Sequence, residues 1–374
     1  MKEYHIIKSA SIVGFFTLIS RCFGMIRDIL IFNFFGGTSL ISSAFYIAFT
    51  LPNLFRRLFG EGALSASFIP IFIETKYQKG IKEAFDLSRR IGTLIFITLF
   101  LISVIGIISI TILSNIELLD DKWVLTFKLS KIMFSYLIFI CLTALSMGIL
   151  NACNHFAIPA FSPALLNIIL IGSMLFIFPK YDTNLEKVTV LSWAVIFAGI
   201  AQLLIQLPIL IKKGLVLIPL NPFKDKKVKK ILLLMGPISL GAAVTQFNVV
   251  IDKLLAMGVG NWAPAALTFS ERLIYLPLGI FATALGTVLL PTFSHQAEQL
   301  DFKKISDTLY NSICHIFYIM IPASIGLIVL AEPIIETIFI WNDDNYNNSI
   351  QHIYRALIFY APGLIIFSII KPGA

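Results

Sequence analysis

The sequence predicts an all-α polytopic membrane protein of about ten transmembrane helices in two lobes. Three observations carry this reading. The 374 residues are 57% hydrophobic and only 13% charged, where soluble domains run about 45–50% and about 25%. Mean hydropathy is +0.88. Apolar stretches of the roughly 20 residues needed to cross hydrocarbon recur along the chain. A soluble globular protein, a disordered chain and a disulfide scaffold are thereby excluded. In lipid every backbone group must be paired within the segment, so the spans are helices. The alternating runs of a barrel are not seen in the sequence.

The segments that qualify as spans are, in numbers, 9–34, 40–60, 91–114, 128–151, 160–179, 188–211, 231–257, 263–291, 309–331 and 352–370. A further helix over 62–76 follows the second. The first apolar run is interrupted by Arg21, Arg27 and Asp28 and continues too long for a cleavable signal peptide, so it is read as a retained first span. With the N-terminus placed inside, seventeen Lys and Arg fall on that side and five outside (Lys122, Lys128, Lys131, Lys180 and Lys187). That bias predicts a cytoplasmic N-terminus. The inside set includes a Lys-rich run over 224–230 beside Gly214, Pro219 and Pro222. It is read as an anchor and linker, dividing a six-helix lobe (1–223) from a four-helix lobe (224–374). The net charge of +8 is thus topological and does not point to nucleic acid. Cys22, Cys141, Cys153 and Cys314 lie in or beside apolar runs without CxxC spacing and read as free thiols. The histidines His5, His155, His295, His315 and His352 are scattered, with no HExxH.

Seven basic residues lie within spans: Arg21, Arg27, Arg56, Arg57, Lys253, Arg272 and Arg355. At about 2.5–3.5 kcal/mol each near a helix centre, and with those near an interface discounted, their nominal cost is on the order of 10–20 kcal/mol. A wet cavity or ion pairing must relieve it. Helical spacing places Thr17, Ser20, Arg21, Gly24, Arg27 and Asp28 on one stripe of span one. Asn53, Arg56, Arg57, Gly60 and Glu61 do the same in span two, and Thr268, Glu271, Arg272, Tyr275 and Gly279 in span eight. Span seven offers Thr245, Asn248 and Asp252, with Lys253 adjacent. The plain alternative is local pairing of Arg21 with Asp28, Arg57 with Glu61 and Asp252 with Lys253. Three stripes with a basic excess favour a shared cationic cavity, and guanidinium grips phosphate bidentately.

Proline and glycine recur inside spans at Pro52, Gly236–Pro237, Pro277, Pro322 and Pro362, where bends or discontinuous helices are expected. Spans one–two and seven–eight are the charged pairs, each followed by a similar string: Phe68-Ile69-Pro70-Ile71-Phe72 and Leu289-Leu290-Pro291-Thr292-Phe293. Their offset of six spans predicts two parallel lobes related by an axis along the membrane normal.

The string Ser20-Arg21-Cys22-Phe23-Gly24-Met25-Ile26-Arg27-Asp28 resembles the first-span signature of the lipid II flippase MurJ (MviN) family. So does Leu51-Pro52-Asn53-Leu54-Phe55-Arg56-Arg57-Leu58-Phe59-Gly60-Glu61-Gly62-Ala63. Further matches are Ile149-Leu150-Asn151 with Ile158-Pro159-Ala160-Phe161-Ser162-Pro163, and Glu271-Arg272-Leu273 with Ala284-Leu285-Gly286-Thr287-Val288-Leu289-Leu290-Pro291. The resemblance implies the multidrug/oligosaccharidyl-lipid/polysaccharide exporter fold around a central cavity. It implies export of an undecaprenyl-diphosphate-linked disaccharide-pentapeptide from the inner to the outer leaflet of the bacterial cytoplasmic membrane. The family's cavity arginines correspond to Arg21, Arg27, Arg56 and Arg272, with Arg57, Asn53 and Glu61 beside them as further substrate-binding candidates. An aspartate that helps bind sodium in some members corresponds to Asp252; no other cofactor is implied. Implied partners are lipid II, membrane lipids and the cell-wall synthesis machinery.

Two departures stand out. Ser43-Ala44-Phe45 occupies the place where the family commonly has an aspartate before Ala-Phe. The chain also stops near the end of span ten, at Lys371-Pro372-Gly373-Ala374, where members continue to about fourteen spans. The second lobe and the helices of the lipid-tail groove are therefore expected to be incomplete in this sequence. Rival readings are a related exporter of another lipid-linked oligosaccharide or a drug, and an inactive fragment needing a partner chain. An intramembrane enzyme would need a carboxylate cluster or a paired-His constellation, and no DxxD or GxxxxGK[ST] string is present, so a non-enzymatic transporter driven by membrane potential or an ion gradient is expected.

Overall fold

The structure is a computed structural model and describes residues 2–58, 63–115, 120–223, 225–279, 296, 302–340 and 347–373. Among the described residues the secondary structure is helical, without strands. Gly60 and Glu61, Lys224, the 280–291 part of the predicted eighth span and the string Leu289 to Phe293 lie outside them.

The chain groups into two compact units, Met1–Leu30 with Ser43–Val259, and Ile31–Ser42 with Gly260–Ala374. The first unit contains most of α1 (Lys2–Phe35) and α2 (Leu40–Phe55), then α3 (Ala63–Lys79), α4 (Ile81–Ser114), α5 (Asp121–Met133) and α6 (Tyr136–Ala152). It continues with α7 (Ala157–Gly172), α8 (Asn184–Leu204), α9 (Leu207–Lys212) and α10 (Lys226–Val259). The predicted helix over 62–76 is α3, and one face of it packs into the core of this unit. Leu64, Phe68, Ile71 and Phe72 pack there against Phe85 and Ile91 of α4, Leu145 and Ile149 of α6, and Ile231 and Met235 of α10. Between lipid-embedded helices there is little hydrophobic drive, so close packing and interhelical hydrogen bonds hold them together. Gly199 of α8 illustrates this, since a Cβ there would overlap the ring of Tyr136 on α6.

Several predicted spans contain a bend or a local change of helix type, although Ala157–Lys180 and Asn184–Lys212 each still run on as one span. The 128–151 segment is α5 and α6, bent by 45° at Phe134–Ser135. The 160–179 segment is α7 followed by a wide turn at Ser173–Ile177 and a tight one at Phe178–Lys180, where Pro179 sits. The 188–211 segment divides between α8 and α9, just before Pro208, which has no N–H to continue the ladder. Pro237 remains inside the unbroken α10. Pro52 remains inside α2, which passes into a wide turn at Arg56–Leu58.

The second unit contains α11 (Ala263–Pro277), α12 (Phe302–Val329), α13 (Ala331–Phe339), α14 (Asn347–Tyr360) and α15 (Gly363–Gly373). Phe32, Phe269 and Phe339 meet with centroid separations of 5.2–5.3 Å. Nearby, Asn33 donates to the carbonyl of Phe339 at 2.7 Å. The C-terminus of α1 is closed by Gly36, which adopts φ 83°, a conformation that favours glycine. Its carbonyl accepts from Ser42 Oγ at 2.9 Å. At the 46° bend between α14 and α15, the carbonyl of Ala361 accepts from Ser324 Oγ at 2.8 Å. A neighbouring helix thus satisfies a group close to the break. The short α13 was not anticipated from the sequence; it buries Ala331, Ile335 and Phe339 at four-residue spacing.

Among the described residues, five helices are long and apolar enough to cross a membrane, or seven if each bent pair counts as one span. The charged elements counted as spans from the sequence differ from these. Helix α1 has 34 residues but carries Arg21, Arg27 and Asp28, α2 has 16 residues, and α11 has 15.

Candidate functional site

Arg27 and Asp28 are adjacent on α1, and both are buried. Arg27 donates to Asp28 Oδ1 through Nε at 3.0 Å and Nη2 at 2.6 Å. Its Nη1 donates to Asn167 Oδ1 at 2.9 Å. The hydroxyl of Tyr46 on α2 donates to the same Asp28 oxygen at 3.4 Å. Asn167 on α7 returns its amide to the carbonyl of Ser20 at 3.1 Å. A charged pair in low dielectric is thereby hydrogen-bonded across α1, α2 and α7. The pairing of Arg21 with Asp28 considered from the sequence is not what forms; the aspartate takes Arg27, its immediate neighbour. That contact is between residues adjacent in sequence, which helical-wheel spacing does not express.

The predicted span-one stripe consequently divides. Thr17 and Arg21 are exposed, Ser20 and Gly24 are half-buried, and Arg27 and Asp28 lie in the interior of the unit. Arg56 is half-buried and Arg57 exposed, both in the wide turn after α2. Arg57 Nη1 donates to Gln246 Oε1 on α10 at 3.4 Å. Asn53 turns its amide back onto the carbonyl of Phe49 at 2.8 Å, one turn earlier on the same helix. Glu61 lies outside the described residues. Arg272 is half-buried on α11 of the second unit, one residue after half-buried Glu271. Thr268 is buried, with its hydroxyl bonded to the carbonyl of Pro264 at 2.8 Å, and Tyr275 is exposed. Asp252 is exposed on α10 and accepts from Asn248 Nδ2 at 3.4 Å. As cation ligands these offer one carboxylate and one amide from a single turn. Among the described residues no group of three or more His, Cys, Asp or Glu converges on one point.

Tyr46, Asn167 and Gln246 were not singled out from the sequence. Asn167 had a signal: a lone amide inside an otherwise apolar span is costly unless it has a partner. Tyr46 and Gln246 had none, because their partners are distant in the chain.

One end of the first unit gathers the basic residues that the sequence places inside. Lys76 and Lys213 donate to the carbonyls of Ala152 and Cys153 at 3.5 and 3.2 Å. Lys227 donates to Thr75 at 2.7 Å. In the adjoining turn, burial and the charge of Lys213 push the His155 pKa below 6.5. Its Nε2 is buried without a hydrogen-bond partner among the described residues. Elsewhere, α8 opens with Thr183 and Glu186 in reciprocal capping. Hydrogen bonds from Thr183 lower the Glu186 pKa.

The family model described as "Lipid II flippase MurJ" matches residues 32–371. The chain belongs to the lipid II flippase MurJ family. A relative from Burkholderia cenocepacia, named lipid II flippase MurJ, is 35% identical over 377 aligned positions, which cover 96% of this chain and 71% of the relative. A probable lipid II flippase MurJ from Vibrio cholerae is 35% identical, with coverage of 98% and 71%. Among solved structures, lipid II flippase MurJ in an inward closed conformation superposes with TM-score 0.79 at 24% identity, covering 96% of this chain and 74% of that one. An inward-facing multidrug resistance MATE transporter of the MOP superfamily gives TM-score 0.71 at 14% identity, with coverage of 95% and 81%. These two likenesses establish the shared exporter fold. As a MurJ-family chain with several membrane-crossing helices, the protein is a multi-pass membrane protein, and the recognition made from the Arg-bearing strings stands.

Proposed function

We propose that this chain handles lipid II, moving its diphosphate-sugar-peptide head across the bacterial inner membrane as a transporter rather than as an enzyme. The observation that carries the reading is the family match over residues 32–371. The site residues fit it. Arg21 on α1 and Arg57 in the wide turn after α2 are exposed guanidinium groups of one unit, with Arg56 half-buried beside Arg57. Such charges are retained in membrane segments where they serve substrate or ion pathways, and guanidinium matches phosphate geometry. Asn53 and Glu61 are proposed as further substrate-binding residues, and Arg272, on the second unit, is proposed separately as a substrate-binding cation. Arg27 acts through Asp28 and Asn167 by holding α1, α2 and α7 in register. The head must cross about 30 Å of hydrocarbon without meeting it, which calls for alternating access while the prenyl tail stays in lipid.

The basic end of the first unit supports a cytoplasmic placement for that end and for the N-terminus. Asp252 is proposed as a sodium ligand; one carboxylate and the Asn248 amide do not make a complete site, so no step is assigned to the ion. Binding of lipid II to the purified chain, read by native mass spectrometry, tests the proposal. Arg21→Ala and Arg57→Ala should each weaken binding about tenfold or more, since hydrogen bonds to charged groups contribute about 1.5–3 kcal/mol. Wild-type affinity in both variants, or no preference for lipid II over a neutral phospholipid, refutes the assignment.

A further inference from the structure

The segment between α9 and α10 crosses the start of α4 as a strap. Its described residues are not helical, yet α4 pairs their backbone at several points. Arg89 Nε donates to the carbonyl of Ile218 at 2.7 Å. Arg90 Nη1 donates to that of Asn221 at 2.6 Å, and Thr93 Oγ1 accepts from Leu220 N at 3.3 Å. Arg90 also reaches Asp225 at 3.5 Å. Irregular backbone survives near hydrocarbon only when its polar groups are satisfied in this way. Much apolar surface of the strap is nonetheless exposed: Ile218 is 65% exposed and Phe223 78%, with Val216 and Leu217 also exposed.

Under the strap lies a cavity of about 300 Å³ between α4, α6 and the α8–α9 junction. This is at the lower end of the range for ligand cavities. Its walls are mostly apolar, including Phe96, Leu145, Leu203 and Leu217, and Ser88, Arg89 and Thr93 supply polar groups. The same end of the unit exposes Lys212, Lys213, Lys226, Lys229 and Lys230. The acidic groups in the strap's contacts, Asp86 and Asp225, are both engaged by arginine.

We propose that this strap and cavity form a binding site for an anionic phospholipid, distinct from the arginines assigned to lipid II. An acyl chain enters the apolar cavity, Val216, Leu217, Ile218 and Phe223 insert at the headgroup boundary, and the surrounding lysines hold the phosphate. Charge complementarity selects an anionic lipid over a zwitterionic one, as basic clusters beside membrane helices do generally. The proposal does not depend on what the chain transports.

The full chain, reconstituted in bilayers with spin-labelled phosphatidylglycerol or phosphatidylcholine, tests it. Wild-type protein should retain an immobilised phosphatidylglycerol population at least about threefold in excess of phosphatidylcholine. Ser146→Phe, which fills the cavity, should remove that population. Lys212→Gln/Lys229→Gln/Lys230→Gln, at exposed positions that do not threaten folding, should bring the two lipids to parity. Equal retention of both lipids by wild-type protein overturns the proposal, as does unchanged selectivity in the lysine variant. Loss in the lysine variant with none in a folded Ser146→Phe variant overturns the cavity's role.

Discussion

Asp28 and Arg21 sit two turns apart on one helix and behave as different kinds of residue. The Asp28 carboxylate is buried against Arg27 and Tyr46, so Asp28→Ala leaves a guanidinium in the interior without its anion. The expected loss is about 3–5 kcal/mol of stability, seen as a lower unfolding temperature of the purified protein. Arg21 is exposed, and Arg21→Ala should leave stability within about 0.5 kcal/mol while weakening lipid II binding. His155 provides a test by pH. Its folded pKa lies below 6.5, so the folded chain holds the proton less tightly than the unfolded chain does. Stability therefore falls as pH drops through the interval below about 6.5. Wild-type protein should lose more thermal stability than His155→Gln between about pH 7.5 and 5, measured by melting each at both ends. Parallel losses would mean that the ring does not couple to folding. At this scale the sequence made Arg27 and Asp28 conspicuous by their charge, but not their pairing.

At the scale of elements, small residues decide how near two helices come. A Cβ at Gly199 would strike the Tyr136 ring, and that ring is almost wholly buried. Gly199→Ala should destabilise the α6–α8 contact by about 1–3 kcal/mol, read as a lower melting temperature. An unchanged melting point would show that the interface can yield. Breaks were unevenly legible. Pro362 was flagged in the sequence and sits at the α14–α15 bend. The α5–α6 bend has neither Pro nor Gly at Phe134–Ser135. It coincides instead with packing of Phe134 against Phe55, with centroids 6.0 Å apart. No local propensity could have announced it. Conversely Pro237 and Pro322 stay inside continuous helices, because a missing donor in a membrane helix can be tolerated where neighbours re-satisfy the backbone.

For the whole molecule, charge asymmetry predicts a topology that can be read in intact cells. A cysteine at Glu186 should react with a membrane-impermeant maleimide from outside, and one at Lys229 only after the membrane is opened. The reverse pattern would invert the orientation drawn from the Lys and Arg bias. At one end of the first unit, Lys76, Arg89, Arg90, Lys213 and Lys227 all bind main-chain or side-chain oxygens.

Composition and residue order by themselves determined the helical membrane class, the family and which cations needed an explanation. These depend on transfer free energies and on short strings, both of which are local properties. Tertiary structure decided that Arg27 is locked to Asp28 and Asn167 while Arg21 is exposed, that one face of α3 packs against α4, α6 and α10, and that the linker folds into a strap over a cavity. Each of these depends on contacts between residues far apart in the chain, where side-chain length and packing, rather than spacing along one helix, set the partner.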